Sequence, residues 1–450
     1  MASTYLTKTS TTVTDDKKFT VSAWVKGSDL GGSVQAGVCG HRDTTNNGNS
    51  NFQFGVYNGG YYAAFVSNNG SDVHINKVTN RLLKDVHAWY HLVIAVDSTL
   101  GTASDRVKMY INGELQTSFS TDVNPPQNRT FLNNTCNIDV GRLTYTSGIH
   151  KYWDGAIAHF HFIDGTVYTP SAFGETDATT GIWKPKTAPS VTYGTNGFFL
   201  KFASAGSMGT DSSGNGNNFT VNGNLTQTQD TPSNVFATLN ALQPISSISY
   251  SNGNLTFTNS ATAHRMVNST LAVSSGKYYA EVKVSTLGGD YPQIGIIDTD
   301  KFDNDDYLGS ADAGYAYVSN GNKQYNNSAT SFGDTYTTGD IIGIAMDLDN
   351  HKLYFAKNGT WQNSGDPTSG ATGTGSAYDL VTNVSYTFGQ SSNDGGTDPV
   401  YNWNFGNGYF GTTAVSSAQS PSDGIGLFEY AVPSGYKALC TKSINSQEYS

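Results

Sequence analysis

Two pairs of side chains in this sequence have the types and spacing of reactive groups. Glu175 and Asp177 stand two residues apart, and glycoside hydrolysis needs two carboxylates that flank the bond to be cut. His159 and His161 alternate in a β-like segment, so both would lie on one face of a strand, where two metal ligands could sit. A third ligand would have to come from His91 or His150, and we favour the alternative, in which the pair lies on a solvent face or packs against aromatic side chains.

A third group is acidic and lies in the second half of the chain. Five aspartates crowd into the nine residues from 298 to 306. Oxygen ligands at such spacing suit Ca²⁺, although the segment lacks the glycine and the closing glutamate of an EF-hand loop. The cluster predicts a calcium site with Asp298, Asp300, Asp303 and Asp305 as ligands. A solvated acidic loop is the alternative.

Tyrosines near turns are the candidates for ligand binding. A tyrosine offers a flat apolar face and a hydroxyl, which suit sugar rings and protein loops alike. Packing inside a β-sandwich or between subunits is the alternative for each of them. The predicted ligand-binding residues lie around residues 58–60 and around the acidic segment: Tyr57, Tyr61, Tyr62, Tyr307, Tyr315, Tyr317 and Tyr325.

Short strands must position these groups, because the sequence shows no segment of a dozen residues with helical periodicity and caps. Segments rich in β-branched and aromatic residues, such as 89–96 and 341–347, run into Gly, Asn or Asp, which form turns. Each half has a buried strand ending in Asp, followed by a strand that runs into Asn-Gly, a dipeptide that favours hairpin turns. We therefore predict an all-β chain.

Composition and charge exclude several classes of protein. Aromatic residues make up 12% of the 450 residues, which argues against disorder. The net charge is −11 and there is no run of Lys or Arg, so we expect neither nucleic acid nor an anionic membrane as a partner. The three cysteines are far apart and give no disulfide or metal pattern. We expect no signal peptide and no membrane insertion, since no apolar run is long enough to span a bilayer.

The domain boundary is predicted where the amino-acid composition changes. The stretch 226–234 has almost no apolar residues, and strand-like segments resume after about residue 245. We predict a first domain at 1–225, a linker at 226–244 and a second domain at 245–450 that ends in a C-terminal extension.

The first half resembles laminin-G-like, or concanavalin-like, lectin domains. The resemblance spans about residues 10 to 220 and rests on the order of several motifs: Trp24, then 89–92 with Asp97, then 110–115, then 141–142 and 153–158. It implies a concanavalin-like jelly roll of two antiparallel sheets. It also implies that loop carboxylates such as Asp97, Asp105, Asp139 and Asp154 could hold one Ca²⁺. Hydrolases on this fold carry Glu-x-Asp-x-x-Glu, and here the third carboxylate is replaced by Thr180.

The second half resembles a SPRY domain over about residues 245 to 412. The motifs that carry the resemblance are 276–282, 294–296, 339–343, 353–359 and 404–406. The fold class expected for the whole chain is therefore two antiparallel β-sandwiches in tandem. The tandem is similar to virion-surface and tail-fibre proteins of tailed, notably marine, bacteriophages, and two linking stretches at 209–219 and 433–440 add to that similarity.

These resemblances imply a non-enzymatic virion-surface protein: a fibre, an adhesin or a capsid decoration protein. Its expected partners are host surface glycan or other virion proteins. We expect a homo-oligomer with a trimer favoured, assembled in the host cytoplasm and located on the virion surface. Two alternatives stay open: a glycan-degrading hydrolase on the concanavalin-like fold, and a purely structural capsid or tail component.

Overall fold

The chain folds into two units, each of which has its own core. The computed structural model describes residues 4–28, 36–43, 49–57, 62–69, 72–132, 136–144, 150–243 and 245–448. The units are Met1–Gln227 and Thr228–Ser450. Antiparallel sheets build both of them, which confirms the prediction of an all-β chain with two sandwiches. Within the described ranges no helix is long and apolar enough to cross a membrane.

The strands of the first unit follow the turn-punctuated pattern of the sequence. In chain order they are β1 (Tyr5–Thr9), β2 (Lys18–Gly27), β3 (Ala36–Asp43), β4 (Asn49–Tyr57), β5 (Tyr62–Asn69), β6 (Asp72–Leu82), β7 (Tyr90–Asp97), β8 (Val107–Ile111), β9 (Glu114–Leu115), β10 (Phe119–Val123), β11 (Cys136–Val140), β12 (Arg142–Thr144), β13 (His150–Tyr152), β14 (Gly155–Asp164), β15 (Gly174–Thr176), β16 (Trp183–Pro185), β17 (Phe198–Leu200) and β18 (Thr220–Asn222). Single 3₁₀ turns lie at Ala103–Asp105, Pro170–Ala172 and Ala205–Ser207.

Two large sheets of the first unit enclose its core. One has the order β10-β6-β5-β4-β3-β11-β1-β18 and the other β17-β14-β2-β7-β8-β9, while β12–β13 and β15–β16 are separate two-stranded ribbons. Alternate residues of β2 point to opposite faces. Phe19 lies on the inner face, where its ring stacks on Phe52 at a centroid distance of 5.0 Å and meets Phe162 at 6.1 Å. This aromatic cluster is the centre of the sandwich.

The outer face of the six-stranded sheet is also covered. Trp24 lies there and stacks on His91 at 4.7 Å with an interplanar angle of 7°. Trp183, from the β15–β16 ribbon, donates its indole N–H to Nδ1 of His91 at 2.9 Å. Since an indole can only donate, Nδ1 of His91 carries no proton, and Nε2 is left to donate to Ser22 Oγ at 2.8 Å. His91 is therefore a neutral ring between two tryptophans.

Replacing Trp183 by phenylalanine should weaken the first unit, because it leaves the buried Nδ1 of His91 without a donor. We expect the free energy of unfolding to fall by about 1 to 2 kcal/mol and the thermal midpoint to fall by about 3 to 6 °C. Calorimetry of the full chain would measure the thermal midpoint. Tyr110→Phe, an aromatic change on the nearby strand β8, is the control, and equal midpoints for both variants would contradict the role given to the indole.

The strands of the second unit begin after the unit boundary. They are β19 (Ile248–Ser251), β20 (Thr256–Asn259), β21 (Arg265–Asn268), β22 (Lys277–Thr286), β23 (Gln293–Asp298), β24 (Gly314–Val318), β25 (Asn322–Tyr325), β26 (Ser328–Ser331), β27 (Ile341–Asp347), β28 (Lys352–Lys357), β29 (Thr360–Trp361), β30 (Tyr378–Asp379), β31 (Tyr386–Ser392), β32 (Val400–Asn404), β33 (Tyr409–Phe410), β34 (Thr413–Ala414) and β35 (Lys437–Ala438). Helix α1 (Thr441–Glu448) follows, and 3₁₀ turns lie at Thr299–Lys301, Gln362–Ser364 and Gly370–Thr372.

Two sheets again form a sandwich. The first has the order β19-β20-β32-β22-β27-β28-β29, with β30 paired to β28 and β35 paired to β22, and the second has the order β21-β31-β23-β24-β25-β26. Strands β33 and β34 form a separate ribbon. The inner faces bury a large apolar cluster that includes Trp403, Phe388 and Tyr336. Cys440, the cysteine of this unit, is free, so apolar burial rather than a disulfide stabilises the unit.

The last residues of the second unit cover the outer face of its larger sheet. Tyr279 of β22 packs there with Phe428, Tyr436 and Cys440 in a second apolar cluster. Residues 235–237 pair with residues 439–441 through backbone bonds such as that from Ala237 N to Leu439 O at 2.9 Å. Most of the predicted linker, 226–244, and the predicted C-terminal extension are therefore structural parts of the second unit, because they seal a sheet face that the sandwich leaves bare.

Glu281 lies beneath this covering layer and is fully buried. Its carboxylate accepts hydrogen bonds from the backbone N–H groups of Glu429 and Tyr430 at 2.8 and 2.9 Å. Tyr279 Oη and Asn404 Nδ2 donate to it as well, at 3.1 and 3.4 Å. Burial raises the pKa of Glu281 to about 7, although the four donors favour the ionised form. One carboxyl group thus fastens the C-terminal segment to strand β22.

Candidate functional site

A cleft of about 350 Å³ opens on the outer face of the six-stranded sheet in the second unit. Because side chains alternate along a strand, residues next to the core-facing Ile294 of β23 and Tyr317 of β24 point outward. The outward residues Gln293, Val318 and Gln324 line the cleft, together with Ala329 of β26. The floor of the cleft is thus part of the sheet itself.

Aromatic side chains from loops form the walls. Tyr291 precedes β23 and is 59% exposed, with a backbone φ of 48°. A positive φ is strained for a bulky residue, and such strain persists where surrounding structure imposes it. Tyr307 also lines the cleft and meets the ring of His264 edge-on at a centroid distance of 5.7 Å. The cleft is therefore lined by one exposed ring and by an aromatic pair.

Amide groups of the cleft are oriented by a chain of hydrogen bonds. The backbone N–H of Gly309 donates to Oε1 of Gln293 at 2.6 Å, so the other end of that amide must be its N–H₂ group. Gln293 Nε2 then donates to Oε1 of Gln324 at 3.0 Å. The N–H₂ group of Gln324 is left for another acceptor. Asn320 and Asn322 add two more amides at the turn after β24.

The segment with the acidic cluster positions one wall. Residues 299–313 lie over the outer face of the sheet, where Leu308 packs with Met266, Ile297 and Ala316. The backbone N–H of Leu308 also donates to Ser391 Oγ at 2.9 Å. These contacts hold Tyr307 at the cleft. Of the four tyrosines predicted around the acidic segment, Tyr307 alone is among the residues that line it.

The other predicted tyrosines have different positions. Tyr315 and Tyr317 face the core of the sandwich and are 4% and 0% exposed, so a ligand cannot reach their rings in this structure. The strand alternation of β24, which turns them inward, corrects the prediction for these two. Tyr325 is half-buried and stacks on Tyr315 at 4.4 Å.

The three tyrosines predicted in the first unit lie at the end of β4, at the start of β5 and between these strands. Tyr57 and Tyr62 form the last backbone pair of the β4–β5 hairpin. Tyr61 and the side chains of Tyr57 and Tyr62 lie outside the described part of the chain. Their predicted role in ligand binding therefore stays a prediction.

The aspartates of the predicted calcium site have partners within the protein. Asp298 Oδ1 accepts from the backbone N–H of Asp300 at 3.0 Å and so caps the 3₁₀ turn. Asp303 accepts from the backbone N–H of Asp305 at 3.0 Å. The carboxylate of Asp305 in turn lies 3.2 Å from a guanidinium nitrogen of Arg265.

This arrangement favours the alternative, an acidic loop whose carboxylates close turns, and the calcium site stays a prediction. Among the residues described, no group of three or more His, Cys, Asp or Glu side chains could hold a metal ion. The acidic cluster closes turns instead. The loop carboxylates of the first unit fit Ca²⁺ no better, since Asp139 accepts from Arg142 at 2.7 Å and Asp105 pairs with Lys108 at 2.8 Å.

In the first unit, one histidine of the predicted pair and one carboxylate of the other pair contact neighbouring side chains and backbone. His161 is buried, stacks on Phe199 at 4.0 Å and shares a hydrogen bond with Tyr193 Oη at 2.9 Å. Asp177 closes the turn of the β15–β16 ribbon: its carboxylate accepts from Lys184 Nζ at 2.6 Å and from two backbone N–H groups. These donors, with the Lys184 ammonium first, lower the pKa of Asp177.

Comparison with known proteins agrees with this division of the chain. Residues 1–172 match the model of the concanavalin A-like lectin/glucanases superfamily, and residues 277–391 match the model of the SPRY domain. The chain has a concanavalin A-like domain followed by a SPRY domain. The cleft belongs to the SPRY half, since most of the residues that line it fall between 277 and 391.

Individual relatives each align with a part of the chain. Ran-binding protein 9 of Danio rerio is 32% identical over 97 residues, which are 20% of this chain and 15% of that protein. Ran-binding protein 10 of Danio rerio gives the same figures, and for human Ran-binding protein 9 the aligned part is 12% of that protein. This chain thus spans about 15% of the length of the curated relatives it matches. The SPRY domain of human HERC1 aligns with 35% of the chain and 91% of that structure, at 16% identity and a TM-score of 0.28.

Proposed function

We propose that this protein is a non-catalytic recognition protein and that the SPRY-half cleft is its ligand-binding site. The observation that carries the proposal is the exposed Tyr291 beside a floor of pre-oriented amides. Exposed aromatic rings with a few fixed polar groups are typical of ligand sites. The two domain matches support it, because they are a lectin/glucanase fold and a SPRY domain.

We further propose that the protein acts on a virion surface, as a fibre, adhesin or decoration protein that binds a host surface glycan or another virion protein. The order of the two domains and the linking stretches at 209–219 and 433–440 support this role. A homotrimer would multiply a weak site into useful avidity. Detection of the chain on purified particles and the mass of the isolated protein in light scattering would test location and oligomeric state.

Hydrolysis by the concanavalin A-like half is the competing function, and its candidate carboxylates argue against it. Asp177 is held by four hydrogen bonds, two of them from the Lys184 ammonium and the Thr180 hydroxyl. Its lowered pKa is the opposite of what a general acid needs at neutral pH. Glu175 is exposed and lies opposite Lys184 in the β15–β16 ribbon. Release of reducing ends from a polysaccharide by the purified chain, lost in Glu175→Gln, would overturn the non-catalytic proposal.

Replacing Tyr291 by alanine tests the site. A buried aromatic contact at the centre of an interface contributes about 2 kcal/mol, so we expect affinity to fall by about thirty-fold. The measurement is binding of the labelled full chain to immobilised glycans and to intact host cells. Tyr409→Ala, at a half-buried tyrosine outside the cleft, is the control. If Tyr291→Ala binds every ligand of the wild-type chain with unchanged affinity, the cleft is not the recognition site.

A further inference from the structure

We infer that the cleft takes an uncharged sugar ring, so that its ligand is a neutral glycan. The inference rests on the proposed function, since it names the ligand class of the same site. Three features of the cleft carry it: the absence of fixed charge among the residues that line it, the exposed ring of Tyr291, and the fixed direction of the Gln324 amide.

The first feature is the charge of the lining. No Lys, Arg, Asp or Glu is among the described residues that line the cleft. Burial lowers the pKa of His264, although Asp290 raises it, so the ring is neutral at neutral pH. The chain as a whole carries −11, and Asp290 and Asp306 act on His264 electrostatically. An anionic ligand would meet repulsion here without a cation to bind it.

The second feature is the exposed aromatic face. Tyr291 is one of the ten large hydrophobic side chains that the described structure exposes, and the most exposed of them. An aromatic ring packs well on the C–H face of a sugar and keeps a hydroxyl for hydrogen bonding. The other tyrosine of the cleft, Tyr307, donates its hydroxyl to Asn327 Oδ1, which fixes that ring in place. The exposed ring of Tyr291 is therefore the aromatic face offered to a flat ligand.

The third feature is the set of amides. Gln293 donates to Oε1 of Gln324, so the N–H₂ group of Gln324 points away from Gln293. Asn320 Oδ1 accepts from the backbone N–H of Asn322 at 3.1 Å, which leaves its own N–H₂ group as a donor. Sugar hydroxyls both donate and accept, so donors at fixed positions can distinguish one arrangement of hydroxyls from another. A charged ligand would not need this pattern.

The size of the cleft agrees with a compact ligand. About 350 Å³ is near the lower end of the range for small-molecule sites, which is 300–1,000 Å³. That space holds about one or two sugar rings rather than a long extended segment. A short peptide with amide side chains is the competing ligand, and the experiment below separates the two.

The experiment measures binding of the full chain to three immobilised sets. They are unsubstituted glucose-, galactose- and mannose-based oligosaccharides, the same oligosaccharides carrying sulfate or sialic acid, and a library of Asn- and Gln-containing peptides. We expect binding to at least one neutral oligosaccharide and about ten-fold weaker binding to its charged counterpart. Gln324→Glu should also lose about ten-fold, because it replaces the outward donor by an anion and keeps the acceptor for Gln293.

Controls separate the inference from the proposed function. Ser328→Ala, at an exposed position of β26, should leave binding unchanged, and thermal unfolding of Gln324→Glu should match wild type. Peptide binding that Tyr291→Ala abolishes, or a sulfated ligand bound as tightly as its neutral parent, would overturn the sugar inference and leave the cleft as the recognition site. Sugar binding that neither Tyr291→Ala nor Gln324→Glu weakens would overturn both.

Discussion

Replacing Glu281 by alanine is expected to lower the free energy of unfolding of the second unit by about 3 to 5 kcal/mol. The change leaves four buried donors without their acceptor, two of them backbone N–H groups of residues 429 and 430. It also loosens the layer that covers Tyr279. A loss of this size corresponds to a fall of about 10 °C in the thermal midpoint of the unit.

Hydrogen exchange measured by mass spectrometry on the full chain would show the effect locally. Peptides from residues 425–440 should exchange faster in the variant, whereas peptides of the first unit should be unchanged. Glu429→Gln is the matched control, because Glu429 lies on the same segment, is partly exposed and can keep its hydrogen bonds with Ser416. Equal protection of residues 425–440 in Glu281→Ala and in wild type would show that the carboxylate does not fasten the segment.

The same carboxyl group should give the second unit a stability that falls as pH rises. Its pKa is about 7 in the folded protein against 4.5 for a free glutamate. Between pH 4.5 and 7 the folded state holds a proton that the unfolded state has released. The contribution of Glu281 to the free energy of unfolding is therefore complete below pH 4.5 and is lost as the pH rises through 7. This contribution amounts to about 3 kcal/mol. In Glu281→Gln this slope should be absent, and a slope equal to that of wild type would refute the assignment.

The second large effect concerns the first unit, which should lose stability as pH falls. Burial, together with the neighbouring His159, lowers the pKa of His91 to about 3. Burial also lowers the pKa of His159 to about 4, helped by Lys201. Below pH 6.5 the unfolded chain takes up protons that the folded unit refuses, so stability is complete above that pH and declines below it. For His91 alone the loss between pH 6.5 and 3 is about 5 kcal/mol.

The two units should therefore respond to pH in opposite directions between about 4.5 and 6.5. Hydrogen exchange at a series of pH values reports each unit from its own peptides. His91→Gln should reduce the pH dependence of the stability of the first unit. His264→Asn, a histidine change in the second unit, should leave the pH dependence of the first unit unaltered. If the first unit keeps its full protection down to pH 4, its buried histidines do not titrate in the way their burial requires.

Strand alternation and turn residues were enough to predict the architecture. The predicted strand-like segment 89–96 lies almost wholly in β7, and the apolar run at 341–347 is β27. The histidine pair was expected either on a solvent face or against aromatic rings, and His161 stacks on Phe199. These features are local in the sequence, since each strand shows its own period and its own turns.

The cleft could not be predicted in the same way. Tyr315 and Tyr317 stand near turns like Tyr307, and only the register of β24 with its neighbours decides that the first two face the core. Tyr291 was missed, although a tyrosine just before Pro292 in a connection between strands is a signal that could have been used. Gln293 and Gln324 lie 31 residues apart, and their meeting depends on the pairing of three strands.

The pairing of residues 235–237 with residues 439–441 has a consequence for how the protein is made. The sheet face that holds Tyr279 and Glu281 is synthesised long before the segment that covers it. Until residue 441 has left the ribosome, that face exposes apolar side chains and a carboxylate without partners. Completion of the second unit therefore waits until residues 439–441 have been synthesised, and until then the nascent chain is most open to aggregation and to chaperones.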